Sequence, residues 1–224
     1  MNFILKKENF FIFCFLSLLL SLYFGENSSG GAYKDFLIGQ KYLSEFQNDI
    51  LNGFKLFILE ERIHFPFFYL FKSKLFTIFT PLLVNIFYLI ISSLIPLFFY
   101  KILKKKYIKV DKNYLFFLSM IIFFSPYFRS SAVWMTNDNI ALLFFLISIY
   151  YFFCFQSKRG DNFTYSLISF LFLILSCYLR QNYFLFSLLY LYFFYKNLSF
   201  YKFFALIIFN TLISIPALIY VYFY

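Results

Sequence analysis

Long apolar runs separated by short polar corners constrain this chain more than any other feature of its sequence. Seven such runs cover residues 10–24, 75–100, 114–128, 140–155, 163–179, 183–195 and 203–224. Hydrophobic residues make up 62% of the chain and charged residues only 13%. This composition does not fit a water-soluble globular protein of 224 residues. We predict an all-α, polytopic transmembrane helical bundle of about seven membrane segments, forming a single integral membrane domain over residues 1–224.

Most basic residues lie in short connections between the apolar runs. They are Lys6 and Lys7; Lys101, Lys104, Lys105, Lys106, Lys109 and Lys112; Lys158 and Arg159; and Lys196 and Lys202. If successive runs alternate in direction, all of these connections fall on one side of the membrane. The positive-inside rule then predicts that this side, and with it the N-terminus, is cytoplasmic. The net charge of +10 therefore indicates membrane orientation, and nucleic acid is not expected as a partner.

The segment 25–74 falls on the opposite side of the membrane in this arrangement. Its six basic and six acidic residues balance one another, and it shows no clear hydrophobic periodicity. We therefore predict a long non-cytoplasmic loop over residues 25–74. The preceding run, 10–24, could be a secretory signal peptide, but no clear small-x-small cleavage motif follows it, so we interpret it as a retained first helix.

Several of the apolar runs are short for a membrane crossing. A hydrocarbon core about 30 Å thick needs roughly 20 helical residues, and runs 114–128 and 183–195 supply fewer. Their outer ends are therefore predicted to surround an aqueous hollow, because charges and irregular backbone at membrane depth survive only against protein or water. The candidate site residues on this side are Asp35, His64, Arg129, Asp138, Arg180 and Gln181.

Arg180 is the most informative of these candidates. An isolated arginine between two apolar runs costs roughly 2.5 to 3.5 kcal/mol if it lies deep in the bilayer. Its planar fork matches phosphate oxygens, so one interpretation is a clamp for an anionic lipid headgroup, with Gln181 beside it. The alternative for Arg180 is a side chain that extends to water at the outer membrane interface. For Arg129 this interfacial interpretation is favoured over substrate binding.

The polar stretch around Asp138 has two compatible interpretations. Thr136 or Asn137 would cap a helix beginning at Ile140, and an acid in its first turn would meet the positive end of the helix dipole. That capped end would also face the predicted hollow. Asp138 is therefore retained as a substrate-binding candidate.

Asp35 and His64 lie in the predicted long loop. A solvated aspartate is the ordinary interpretation of Asp35, but a carboxylate on a loop held by a rigid scaffold could act as a general base. His64 is the only histidine in the chain and precedes the point where the chain re-enters the membrane. It is either an interfacial anchor or part of the site.

The order of these polar clusters resembles the GT-C superfamily of membrane glycosyltransferases, which use polyprenyl-phosphate sugars. The local likeness is to the dolichyl-phosphate-glucose alpha-1,2-glucosyltransferase family. The residues that carry it are Tyr33 and Asp35; Phe65, Pro66 and Tyr69; Thr136 and Asp138; and Arg180, Gln181 and Asn182. The chain departs from the family pattern at Phe36, at the single Pro66 and at the inserted Asn137. Because members of the family are usually longer, the resemblance implies a truncated, split or reduced member.

This resemblance implies an inverting transfer of a hexose or pentose at the non-cytoplasmic face. Asp35 would activate the acceptor hydroxyl as the catalytic residue, and Arg180, helped by Arg129, would hold the phosphate of the leaving lipid. The implied partners are membrane lipid, a polyprenyl-phosphate sugar as donor, and a glycan or lipid-linked acceptor. No cofactor is assigned, assistance by a divalent metal is left open, and no residue is predicted as a metal ligand.

Two other classes of function fit the same sequence. A lipid-linked sugar transporter or flippase would also need an outward cavity with arginines, but no convincing internal repeat is visible. A non-catalytic membrane assembly subunit would tolerate the loss of both Asp35 and Arg180. The combined abundance of Phe, Tyr, Ile, Asn and Lys is typical of an AT-rich genome, which favours a bacterial inner membrane over an endoplasmic reticulum.

Overall fold

The protein is built from helices, and no strand occurs in residues 6–27, 31–60, 65–157 and 163–223, which the computed structural model describes. The helices are α1 (Lys7–Tyr23), α2 (Ala32–Asn48), α3 (Ile50–Leu59), α4 (Phe67–Ile78), α5 (Pro81–Lys106), α6 (Lys112–Met120), α7 (Pro126–Val133), α8 (Asn137–Ser157), α9 (Phe163–Leu179), α10 (Leu185–Asn197) and α11 (Phe200–Phe223). Two 3₁₀ turns, Ile121–Phe124 and Gln181–Phe184, extend α6 and precede α10. The all-α fold class is confirmed.

The segment 25–74 is mainly helical, so it is not the irregular loop that was expected, while its non-cytoplasmic position stays a prediction. It contains α2, α3 and most of α4. The buried residues of α2 recur with helical spacing between charged and polar ones: Ala32, Gly39, Tyr42, Leu43 and Phe46. This periodicity is easily missed in a segment with few apolar residues, but it gives α2 one face that packs on α3 and α4.

Prolines divide two of the predicted apolar runs. The run 75–100 contains the end of α4 and the start of α5, because Pro81 occupies the first turn of a new helix. The run 114–128 is interrupted by a 3₁₀ turn, and Pro126 then begins α7. The helical axes on the two sides of this break differ by 62°. The helix expected to begin at Ile140 begins instead at Asn137.

Three of the described helices are long and apolar enough to cross a membrane. They are Pro81–Lys106, Asn137–Ser157 and Phe200–Tyr220, and the bent pair Lys112–Phe124 with Pro126–Val133 makes a fourth if it counts as one span. The seven predicted crossings are therefore not confirmed. The other apolar helices are short: α1 and α9 have 17 residues each and α10 has 13.

The centre of the bundle is the antiparallel pair α8 and α9. The Ser148 hydroxyl donates to the Ser169 carbonyl at 2.7 Å, and the Ser169 hydroxyl donates to the Ser148 carbonyl at 3.0 Å. Both serines are buried, and such small side chains let two helices approach closely. The Tyr190 ring of α10 stacks on Phe152 of α8 with ring centres 4.5 Å apart. These contacts hold α8, α9 and α10 as one packed unit.

The bundle has a lysine end and an opposite end. The ammonium groups of Lys7 and Lys104 lie 5.7 and 5.5 Å from the centre of the same Tyr100 ring, so the start of α1 and the end of α5 are neighbours. At the opposite end, the Tyr88 hydroxyl of α5 donates a short hydrogen bond to the Thr136 carbonyl before α8. The first basic connection and the lysine cluster therefore lie together, away from the corner before α8.

Candidate functional site

A cavity of about 130 Å³ lies at the end of the bundle opposite the lysines. It is enclosed by α2, α4, the corner between α7 and α8, and the corner after α9. Helices α2 and α4 approach each other closely at the cavity wall. A Cβ atom on Gly39 of α2 would come within 3.1 Å of the Tyr69 ring of α4. The charged and polar side chains that line it are Asp35, Tyr42, Tyr69, Lys72, Thr136, Asn137 and Arg180.

Asp35 lies in the first turn of α2 and is exposed at the cavity. A carboxylate there is stabilised by the positive end of the helix dipole. Asp35 makes no ion pair within 4.0 Å with any residue in the part of the chain that the structure describes. Its oxygens are therefore accessible to a ligand in the cavity.

Arg180 pairs with Asp138 at the rim of the same cavity. The Arg180 Nε lies 2.7 Å from Asp138 Oδ1, and its Nη2 donates to Asp138 Oδ2 at 2.9 Å. The two side chains remain 44% and 49% exposed, so water screens the pair. Burial acts to lower the pKa of Arg180, but the hydrogen bond and charge of Asp138 outweigh it and raise the pKa above the usual value. The forked contact uses Nε and Nη2, and no hydrogen bond from Nη1 to a described residue is formed.

Buried hydrogen bonds hold the corner between α7 and α8. Met135 has the left-handed backbone conformation, with φ of 49°, and the Thr136 amide donates to the Ser131 carbonyl at 3.1 Å, as in a Schellman turn. The Thr136 hydroxyl lies 2.6 Å from the Ser131 hydroxyl and donates to Asp138 Oδ2 at 3.0 Å. The corner thus orients the carboxylate that receives Arg180.

Lys72 is a buried cation that the sequence did not single out. Only 5% of the residue is exposed, and its ammonium donates a 3.4 Å hydrogen bond to the Met135 carbonyl. The rings of Phe36, Phe68 and Phe76 surround it, with centres 5.4, 5.5 and 5.9 Å from Nζ. Burial lowers the pKa of Lys72 to about 7. No carboxylate lies within 4.0 Å of Lys72 among the described residues.

Arg129 does not line this cavity. Its Nε donates to Glu26 at 3.1 and 2.9 Å, and Nη1 donates to the Ser17 hydroxyl at 2.9 Å. Arg129 and Glu26 are only 17% and 27% exposed, so the guanidinium ties α7 to the end of α1. The Trp134 indole donates to the Glu26 carbonyl at 2.9 Å and extends this link. The predicted contribution of Arg129 to substrate binding finds no geometric support.

The remaining site predictions have different outcomes. Gln181 opens the 3₁₀ turn directly after Arg180 and is exposed. His64 lies outside the described residues. Asn139, next to Asp138, is buried and donates to the Phe128 carbonyl at 3.0 Å, which marks it as a packing residue.

The cavity therefore combines an accessible carboxylate, a paired arginine and a buried lysine. Among the described residues, no three His, Cys, Asp or Glu side chains are grouped so as to hold a metal ion. Such a set of groups can bind an anion beside a base. No family model, curated protein or solved structure matches the chain.

Proposed function

We propose that this protein is a membrane glycosyltransferase of the GT-C type. It moves a sugar from a polyprenyl-phosphate donor to a lipid-linked or surface glycan acceptor, with inversion at the sugar carbon. Asp35 is the general base that takes the proton from the acceptor hydroxyl. The acceptor oxygen then bonds to the sugar carbon as its bond to the donor phosphate breaks, and the lipid phosphate leaves as an anion.

One observation carries this proposal: an accessible carboxylate and two cationic side chains line one cavity. Asp35 is exposed there without an ion pair among the described residues, whereas Arg180 and Lys72 supply positive charge. Proton removal from an acceptor needs an accessible base, and departure of a phosphate needs cations. A cavity that only passed a lipid-linked sugar would need the cations but not the base.

The charge distribution supports a non-cytoplasmic site. Lys7 and Lys104 lie at the end of the bundle opposite the cavity. Under the positive-inside rule, that end faces the cytoplasm, so the cavity opens on the other side. The proposal includes a cytoplasmic N-terminus, about seven membrane segments when the short helices are counted, and a bacterial inner membrane as the location.

The direct test is sugar transfer by the purified full chain in liposomes. The liposomes contain a polyprenyl-phosphate sugar labelled in the sugar and a lipid extract as the source of acceptor. We expect label to move into the acceptor fraction. Asp35→Asn is expected to lower the rate by about 10² to 10⁴, because a general base contributes typically that factor.

Glu45→Gln is the matched control. Glu45 lies on the same helix and is not a lining residue of the cavity, so its loss should leave the rate unchanged. A wild-type rate in Asp35→Asn would remove Asp35 from the mechanism. Movement of labelled donor across the bilayer without transfer would support the transporter alternative, and neither activity would support the assembly subunit.

A further inference from the structure

We propose that Lys72 is the phosphate-binding residue of the cavity and that its ligand is a lipid phosphate whose hydrocarbon chain lies between α4 and α5. The inference rests on the proposed function, because it names the side chain that holds the donor's phosphate. It assigns to Lys72 the role that the family resemblance implies for Arg180.

The contacts of the two cations differ in the way this assignment requires. Arg180 directs two N–H groups at the Asp138 carboxylate, which offsets its charge. Its side chain is about half exposed, so water and salt screen the charge further. Lys72 is almost fully buried at the cavity wall, and its one hydrogen bond goes to a neutral carbonyl. A phosphate oxygen would therefore gain more from Lys72 than from Arg180.

Aromatic rings, and no carboxylate among the described residues, surround the Lys72 ammonium. Three aromatic faces lie within 6 Å of Nζ, and ring faces attract cations. Those rings hold the side chain in place but provide no hydrogen-bond acceptor. Within the described part of the chain the ammonium has one hydrogen-bond acceptor, the Met135 carbonyl, which leaves two of its three protons for an anion.

An apolar groove between α4 and α5 lies beside this position. A cavity of about 310 Å³ between α4 and α5 is lined by apolar residues, including Leu75, Leu83, Val84 and Phe87. Leu75, Val84 and Phe87 also line a narrow space that reaches Lys72. A hydrocarbon chain in the groove would therefore lie next to Lys72, which favours a lipid phosphate over free phosphate.

The test is binding of farnesyl phosphate to the purified full chain in detergent micelles, measured by calorimetry. Farnesol and inorganic phosphate are the two comparison probes. We expect wild-type protein to bind farnesyl phosphate at least tenfold more tightly than either probe. Lys72→Met should weaken farnesyl phosphate binding at least tenfold, whereas Lys74→Met should not, because Lys74 is exposed on the same helix.

A second variant tests the groove. Leu83→Trp fills it, so we expect weaker binding of farnesyl phosphate and unchanged binding of inorganic phosphate. Equal affinity of wild type and Lys72→Met for farnesyl phosphate would overturn the assignment of Lys72. Equal affinity of wild type for farnesol and farnesyl phosphate, or for inorganic phosphate and farnesyl phosphate, would overturn the lipid-phosphate ligand.

This experiment separates the two proposals because it uses neither a sugar nor an acceptor. Lys72-dependent binding without any transfer activity would refute only the transferase. Transfer at the wild-type rate by Lys72→Met, with unchanged binding, would refute only the role of Lys72. A wild-type measurement at rising pH is an independent check, since binding through an ammonium weakens as the ammonium loses its proton.

Discussion

Replacing Lys72 with methionine is expected to stabilise the folded protein at neutral pH. Burial lowers the pKa of Lys72 from 10.5 to about 7, and at about 1.4 kcal/mol for each pH unit this difference corresponds to about 5 kcal/mol. Methionine keeps the unbranched apolar stem and removes the charge. The aromatic rings around Nζ return part of the cost, so we expect a gain in the free energy of unfolding of about 2 to 5 kcal/mol.

The pH dependence of this gain has a definite sign. Between pH 7 and 10.5 the unfolded chain holds the Lys72 proton that the folded protein has released, so wild-type stability rises with pH across this window. The advantage of Lys72→Met is therefore largest at and below pH 7 and disappears near pH 10.5. Charged or titratable groups that face Lys72 or its cavity are Asp35 and Tyr42 on α2, Tyr69 on α4, Tyr88 on α5, and the Arg180–Asp138 pair.

The measurement is unfolding by SDS in mixed micelles, followed by tryptophan fluorescence. Trp134 is the only tryptophan, and its indole is hydrogen-bonded to the Glu26 carbonyl beside the site, so its emission reports loss of this region. Titrations at pH 6.5, 8 and 9.5 give the difference between the variant and wild type. A variant less stable than wild type at pH 6.5, or an advantage that grows with pH, would refute the reasoning about Lys72.

Three further predictions use the same SDS titration. Arg180→Gln or Asp138→Asn should change the free energy of unfolding by less than about 1 kcal/mol, because the pair is exposed; a loss above about 2 kcal/mol would contradict this. Arg129→Met should destabilise by about 2 to 4 kcal/mol, because the contacts of the guanidinium with Glu26 and Ser17 are lost in a mostly buried site; a loss under about 1 kcal/mol would show that the link is dispensable. Ser148→Ala should cost about 1 kcal/mol, and an unchanged midpoint would show that its hydroxyl contributes nothing.

The sequence was informative where polar residues interrupt apolar runs. Alternating apolar runs placed Asp35, Asp138 and Arg180 on one side, and in the structure Asp35 and Arg180 line one cavity while Asp138 pairs with Arg180. Long runs also predicted both ends of α9 and placed the ends of α8 within three residues. These features depend on local hydropathy and on chain direction, both of which a single sequence contains.

Lys72 was overlooked because a lysine in a mixed-charge segment is usually solvated. A signal was nevertheless present: Phe68, Lys72 and Phe76 follow one another at four-residue spacing, which places all three on one helix face. Recognising it required the segment to be helical, and the sparse apolar residues of 25–74 concealed that. The partner of Arg129 could not be found by spacing, since Glu26 lies 103 residues away along the chain.

The Ser148–Ser169 contact in the middle of the bundle aligns α8 and α9 along their axes, and this alignment positions Asp138 and Arg180 at the cavity rim. Ser148 lies ten residues after Asp138, and Arg180 lies eleven residues after Ser169, so the two helical arms are each about 15 to 17 Å long. Because each hydroxyl occupies the other helix's carbonyl, sliding α9 along α8 by one residue would break both bonds together. The two bonds therefore favour one register of α9 on α8, and with it the pairing of Arg180 with Asp138 at the rim.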